Sequence, residues 1–341
     1  MDKYRVDMAS TPPTGTHLEV DENSLSDSDS AFDGSDVTSS TTSLSSSVTN
    51  YQFENGRRYH AYHQGKYLLP NDEKEQDRMD LGHQIYLLLL DGKLFLSPIS
   101  ARPQRVLDLG TGTGIWAIDF AERHPSAQVL GMDLSPIQPS WVPPNCSFEI
   151  DDFENEWAYA RRFDFIHGRE LMGSVADYDH LFREAFRHLD PEGYFEMQTA
   201  DPRFFSDDGT LEKAENANLW VRLLHEASEK LGRRMDQVGT WERTMKEAGF
   251  IDIKTKIYKL PVGTWPEDPK LKKIGQFQLA QLDEAIDSYT PALLSRAFGW
   301  NGLEMEVLRA KVKTEVKDSS IHLYQNVHIV YGKKPSVLSS Q

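Results

Sequence analysis

Short apolar runs punctuate the chain from residue 105 onward and mark a series of strands. "RVLDL" (105–109), "AQVLGMD" (127–133), "CSFEI" (146–150), "FDFIHG" (163–168), "GYFEMQ" (193–198) and "IDIKTKIYKL" (251–260) are the first six. Near the end, Ile321, Leu323, Val327, Ile329 and Tyr331 fall on one face of "IHLYQNVHIVYG", a seventh. Between them the apolar spacing changes to three and four, the helical period. In "DYDHLFREAFRHL" the stripe is Tyr178, Leu181, Phe182, Ala185, Phe186 and Leu189. "GIWAIDFAERH" and "WERTMKEAGF", the latter closed by Gly249, read the same way. Ahead of the first strand, a helix is expected from about Glu73 to Leu90. Alternating strands and helices predict an α/β fold, a mostly parallel sheet with helices on its faces.

Two longer segments interrupt the alternation. Residues 200–238 carry a helical stripe of Trp220, Leu223, Leu224, Ala227 and Leu231. Residues 261–318 separate strands six and seven, where a short turn would suffice, and hold two or three helices with Trp265, Phe277, Tyr289, Phe298 and Trp300. No internal repeat is present.

Composition changes the picture at the N-terminus. Residues 1–50 include "DENSLSDSDSAFDGSD" and "SDVTSSTTSLSSSVTN", too poor in large apolar groups to offset the entropy of ordering, and are expected to be a disordered Ser/Thr/Asp-rich tail. The remaining residues, 51–335, suit one large domain. A formal charge of −16 disfavours nucleic acid and anionic membranes as partners, since the net field repels phosphate. One cysteine, Cys146, rules out an intrachain disulfide and fits a reducing compartment, so a cytoplasmic or nuclear location is expected. "MDKYRVDMAS" has no apolar core of a secretory signal, and "IYLLLL" (85–90) falls far short of the roughly 20 apolar residues of a membrane span.

The candidate chemistry lies in "RVLDLGTGTGIWAIDF". Gly110, Thr111, Gly112 and Gly114 form the first strand-to-helix turn, the edge where open parallel sheets bind ligands. A dinucleotide fingerprint would place its third glycine at 115, which is Ile115, and no phosphate-loop sequence is present. Asp108, just before the turn, gains nothing from a pyrophosphate but answers an ammonium. That suits the aminocarboxypropyl arm of S-adenosylmethionine. Asp133 ends the second strand, where a carboxylate can accept both ribose hydroxyls. Asp152 and Phe153 follow the third, where an acceptor can take the adenine amino group and a ring can pack on the purine. Any one of these acids alone reads as a loop cap; three at successive strand ends read as a site. No metal site is read.

"VLDLGTGTG", "GMDLS" and "DDF" resemble the donor motifs of the seven-stranded class I methyltransferases, a Rossmann-like fold, and "NVHIVYGKKP" resembles their antiparallel last strand. More closely, "YLLPNDEKEQDRMDLGHQ", "GTGTGIWAIDFA" and "FDFIHGRELMGSVADYDHLFREAFRHLDPEGYFEMQT" resemble the fungal LaeA-like methyltransferases, over roughly residues 51–335. The resemblance implies an S-adenosylmethionine-dependent enzyme of fungal secondary metabolism, acting on the oxygen or nitrogen of a small-molecule acceptor. Its alternative is a regulator whose output is association with a velvet-type protein.

For a proton-accepting group the candidates are His167 and Glu170 at the end of strand four, with Arg169 able to pair with the donor carboxylate and Glu196 and Gln198 on strand five. A lone His167 also reads as a scaffold residue. Residues 51–100 supply a lid or helix, with Tyr67, Asn71, Asp72 and Glu75 over the donor, although Asn71 or Asp72 equally suits a helix N-cap. With an antiparallel last strand, the insertion 261–318 begins and ends at the ligand edge. Together with 200–238 it is expected to cap the acceptor, with Trp265, Phe298 or Trp300 lining the pocket.

Overall fold

A computed structural model describes residues 51–60 and 68–336; the tail 1–50 and Tyr67 lie outside them. The described chain opens with a hairpin, β1 (Gln52–Glu54) and β2 (Arg57–Tyr59), turned by Asn55–Gly56, both at positive φ as a tight two-residue turn needs. Helix α1 (Glu73–Leu89) follows, capped by Asp72, whose carboxylate accepts the Glu75 amide at 3.1 Å. Then come β3 (Arg105–Leu109), α2 (Ile115–Arg123), β4 (Gln128–Asp133), β5 (Cys146–Ile150), β6 (Phe163–Arg169), α3 (Tyr178–His188) and β7 (Leu189–Ala200). The chain continues through α4 (Glu215–Lys230), α5 (Trp241–Ala248), β8 (Ile251–Pro261), α6 (Pro269–Phe298), α7 (Gly302–Val316) and β9 (Tyr324–Lys333).

Seven strands form one sheet in the order β5-β4-β3-β6-β7-β9-β8. Pairs from β5 to β7 are parallel, and β9 runs antiparallel to both β7 and β8. The chain steps outward from β3 to β5, then returns to place β6 on the other side of β3. That reversal opens a crevice beyond the carboxyl end of β3, the place where such sheets bind ligands.

Period-two alternation assigns each strand residue to a layer. Leu107, Leu109, Ile166 and Phe195 point into a core closed by Leu181, Phe182 and Ala185 of α3 and Trp241 and Met245 of α5. Val106, Val129 and Phe165 point the other way, under Trp116 and Phe120 of α2. Further along that face, Ile85 and Leu89 of α1 and Ile274 of α6 cover Val327 and Ile329. The two insertions build a separate helical layer in which Trp220 and Leu224 of α4, Leu282, Ile286 and Leu293 of α6 and Leu308 and Val312 of α7 pack together.

Candidate active site

The glycine turn is shaped by what surrounds it. Gly110 adopts φ +59°, and a Cβ there would lie 2.4 Å from Leu171 Cδ2, so any side chain both strains the turn and displaces Leu171. Gly114, at φ +82°, caps α2 with the Phe148 ring against it; a Cβ would sit 2.4 Å from that ring. The turn is pinned from above by Thr113, whose hydroxyl donates to Asp80 Oδ1 of α1 at 2.6 Å.

Around the turn lies one continuous cavity, lined among others by Asp108, Gly110, Thr111, Gly112, Asp133, Asp152, Phe153 and Glu170. Gly114 and His167, both expected at the site from the sequence, do not line it. Gly114 stands behind the turn, where it lets α2 approach Phe148. His167 is fully buried: alternation along β6 puts it on the face under α2, stacked on Trp116 with centroids 3.8 Å apart. Its Nδ1 lies 2.8 Å from Asp108 Oδ1, and its Nε2 has no partner. His167 therefore holds Asp108 from behind and does not reach a molecule in the cavity.

The three acids differ in surroundings. Asp108 is buried, and its second oxygen accepts the Thr111 hydroxyl at 2.6 Å. Asp133 is half-buried and accepts the Gly112 amide at 2.8 Å and the Ser135 amide at 2.9 Å. Burial pushes the Asp133 carboxyl up to about 6, partly opposed by those two amides and reinforced by the charge of Asp108. Asp152 is buried and accepts the Glu154 amide at 3.0 Å, with Phe153 beside it on the cavity wall.

Beyond the turn, Arg169, the last residue of β6, and Glu170 after it lie on the cavity wall. Arg169 donates to His83 Nδ1 at 3.1 Å, and His83 Nε2 lies 2.9 Å from Asp119 Oδ2. An imidazole that accepts from a guanidinium must be neutral at that nitrogen, and burial depresses the His83 pKa accordingly. Glu170, at φ +56°, accepts the Tyr86 hydroxyl at 2.5 Å, the Ala200 amide at 3.0 Å and the Thr199 hydroxyl at 3.2 Å. Glu196, by contrast, lies fully buried in the middle of β7, between β6 and β9, accepting the amides of Leu96 and Ser97, and lines no part of the cavity.

The expected lid residues divide. Asn71 lines the cavity and donates to Ser135 Oγ at 3.3 Å. Asp72 caps α1 and is ion-paired to Arg57, while Glu75 turns away to Arg78. Unforeseen wall residues come from α1: Arg78, Met79, His83 and Tyr86, a stripe at helical spacing.

At the far end the helical layer closes the cavity with Trp220, Leu224, Met235, Gln278, Leu282 and Tyr289. Trp265, Phe298 and Trp300 are absent from that wall, which corrects the sequence expectation. Trp265 is buried with its indole N–H on the Leu323 carbonyl at 3.1 Å, and Phe298 and Trp300 pack on the helical layer. The face that α6 turns inward is set by its period, 278–282–285–289, and the aromatic on it is Tyr289, which the sequence expectation had not placed on the wall. Among the described residues no cluster of three His, Cys, Asp or Glu could hold a metal, and no helix is long and apolar enough to cross a membrane.

The sheet order, the glycine turn at its switch point and the acids at successive strand ends define a class I methyltransferase. A family described as "Methyltransferase domain" matches residues 81–255, and the chain belongs to it. Within that class the chain is similar over most of its length to LaeA-like proteins of fungi. It is 40% identical over 331 residues to "Methyltransferase pytC" of Aspergillus terreus, covering 96% of this chain and 98% of that one. "Secondary metabolism regulator LAE1" of Cochliobolus heterostrophus is 36% identical, over 84% of this chain and 95% of that one. "Secondary metabolism regulator laeA" of Aspergillus flavus is 38% identical, over 89% and 83% respectively. The chain is thus an S-adenosylmethionine-dependent methyltransferase of the LaeA-like kind.

Proposed function

We propose that this methyltransferase acts on an oxygen or nitrogen of a small molecule held in the helical end of the cavity. The observation that carries the reading is continuity: one cavity runs from Asp133 and Asp152, past the glycine turn, to Trp220, Leu282 and Tyr289. The donor's residues fit at the first end. Asp133 accepts the ribose hydroxyls, and Asp152 and Phe153 receive the adenine. Gly110, Thr111 and Gly112 admit the amino-acid arm, whose ammonium faces Asp108 and whose carboxylate faces Arg169. Bound S-adenosylmethionine supplies a methyl group already activated on a sulfonium.

The chain's own task is alignment of the acceptor with that methyl, which in favourable intramolecular cases is worth roughly 7–11 kcal/mol. Glu170 already accepts three hydrogen bonds, and it positions the Tyr86 hydroxyl on the wall. His167 positions Asp108. An acceptor with a readily lost proton needs no further base. To test this, methyl-labelled S-adenosylmethionine is incubated with the protein and a fungal culture extract. Label recovered in the organic-soluble fraction is expected; label confined to precipitated protein overturns the small-molecule reading.

A second reading rests on the similarity to proteins named as regulators of secondary metabolism. In it the donor site is kept and the output is association with a velvet-type protein. It requires a stable complex between the purified proteins whose affinity changes when the donor binds.

A further inference from the structure

We propose that Gln278 selects the methyl acceptor: its Oε1 accepts a hydrogen bond from a hydroxyl or amino group on a neutral, ring-bearing molecule. The proposal rests on the helical end of the cavity being the acceptor chamber. It begins with a chain of two amides whose polarity is fixed from one end. The Asp201 carbonyl can only accept, so Gln325 turns its NH2 toward it, at 3.1 Å. Gln325 then presents its oxygen to Gln278, which must answer with its own NH2, at 2.8 Å. Gln278 Oε1 is what remains.

Gln278 is 5% exposed and lines the cavity. Its Oε1 has no hydrogen-bond partner among the described residues, yet it is not one of the sealed, unpartnered polar atoms. The surface it keeps therefore faces the cavity. An accepting oxygen in so dry a place favours a ligand that brings a donor and penalises one that leaves it unpaired.

The surroundings set the ligand's other properties. Trp220, Leu224, Met235, Leu282 and Ala285 make the chamber apolar, and Tyr289 adds a ring. The Trp220 indole N–H is already spent on Thr290 Oγ1 at 2.9 Å. The charges on the wall are answered internally. Arg78 forks onto Glu75, with contacts from 2.7 Å, and Arg233 donates to Glu154 at 2.8 Å and to the Ser174 carbonyl. Glu170 carries its three donors, and Arg169 is held on His83 facing the donor arm. A charged acceptor entering here would be desolvated without a counter-charge. The chamber thus suits a neutral phenol-like or heteroaromatic acceptor, not a phosphorylated metabolite, an amino acid or a lysine side chain.

The test uses three ring probes with the protein saturated by S-adenosylhomocysteine at pH 7.5: 2-naphthol, 2-methoxynaphthalene, which lacks the donor, and the anion 2-naphthoate. Binding is followed by probe fluorescence. In the parent, 2-naphthol is expected to bind about tenfold more tightly than either of the others, the scale of one hydrogen bond in a dry site. Gln278→Leu and the closer-shaped Gln278→Met should both erase the preference over 2-methoxynaphthalene, and leave that over 2-naphthoate, which rests on charge, while S-adenosylhomocysteine affinity stays within about twofold. The proposal is overturned if the preference over 2-methoxynaphthalene survives both substitutions, if 2-naphthoate binds the parent as tightly as 2-naphthol, or if none of the probes binds a protein that does bind S-adenosylhomocysteine. Failure of the parent to bind S-adenosylhomocysteine would instead strike the donor-site reading, and this proposal with it.

Discussion

The backbone N–H of Gly112 donates to Asp133 Oδ2 at 2.8 Å, so the glycine turn after β3 and the acid ending β4 form one unit. The same carboxylate accepts the Ser135 amide through its other oxygen. Each oxygen keeps a second lone pair for a ligand hydroxyl, and its direction is set by two backbone groups, not by a mobile side chain. Replacing Asp133 with Ala should weaken S-adenosylhomocysteine binding by about 1.5–3 kcal/mol, the range for hydrogen bonds to a charged group. Asp133→Asn should lose less. Calorimetry that finds both variants equal to the parent would remove Asp133 from the donor site.

The same residue gives a pH dependence. Burial raises the Asp133 carboxyl to about 6. A raised acid stabilises the fold fully only below its unfolded value, and that contribution is lost as pH climbs through about 6. Ribose hydroxyls favour the ionised form, so donor binding expels the proton in that window. Affinity for S-adenosylhomocysteine should therefore rise about tenfold between pH 5 and 7.5, on the scale of one pKa unit. Asp133→Asn should flatten the profile; a flat profile in the parent contradicts the assignment.

Gly110→Val should abolish donor binding. Its side chain would meet Leu171 and could not hold φ +59° comfortably. Because the strain is local to a turn, the far-ultraviolet spectrum and a cooperative melt should persist. Unchanged affinity for S-adenosylhomocysteine would mean that the turn does not carry the donor.

Tyr289 and Trp265 should separate under substitution. Tyr289 lines the cavity, so Tyr289→Ala is expected to raise the acceptor KM while donor affinity stays within about twofold. Trp265 is buried away from it and anchored to Leu323. Trp265→Ala should cost about 3–5 kcal/mol of stability, the usual loss for deleting a large buried ring, with KM unchanged in the folded fraction. The reverse pattern, read from kinetics and denaturant melts, would restore the sequence expectation.

Those two aromatics also show what the sequence could and could not disclose. The strands, the glycine turn and the acids at strand ends were legible because each is a local pattern tied to a fixed place in a parallel sheet. So was the layer of His167: residues 165 and 167 share a face of β6, and Phe165 belongs under α2. That alternation decides between the two readings of His167 in favour of the scaffold one. The acceptor wall was harder. Which stripe of a 30-residue helix faces a cavity depends on what packs behind it, and here Ile286 and Leu293 bind α6 to α4 and α7 while Gln278, Leu282, Ala285 and Tyr289 are left to the cavity. Choosing the largest rings overlooked the period. The stripe on α1 was missed for the opposite reason: Arg78, Met79, His83 and Tyr86 mix charge with apolar bulk, and a mixed face reads as solvated until the sheet edge is known to lie beneath it.

The most direct measurement of the account is a crystal structure of the complex with S-adenosylhomocysteine. The expected result places both ribose hydroxyls within hydrogen-bond distance of the Asp133 carboxylate, the adenine against Phe153, and the sulfur at the mouth of the chamber lined by Gln278 and Tyr289. A nucleoside bound elsewhere, or one whose ribose turns away from Asp133, would contradict it.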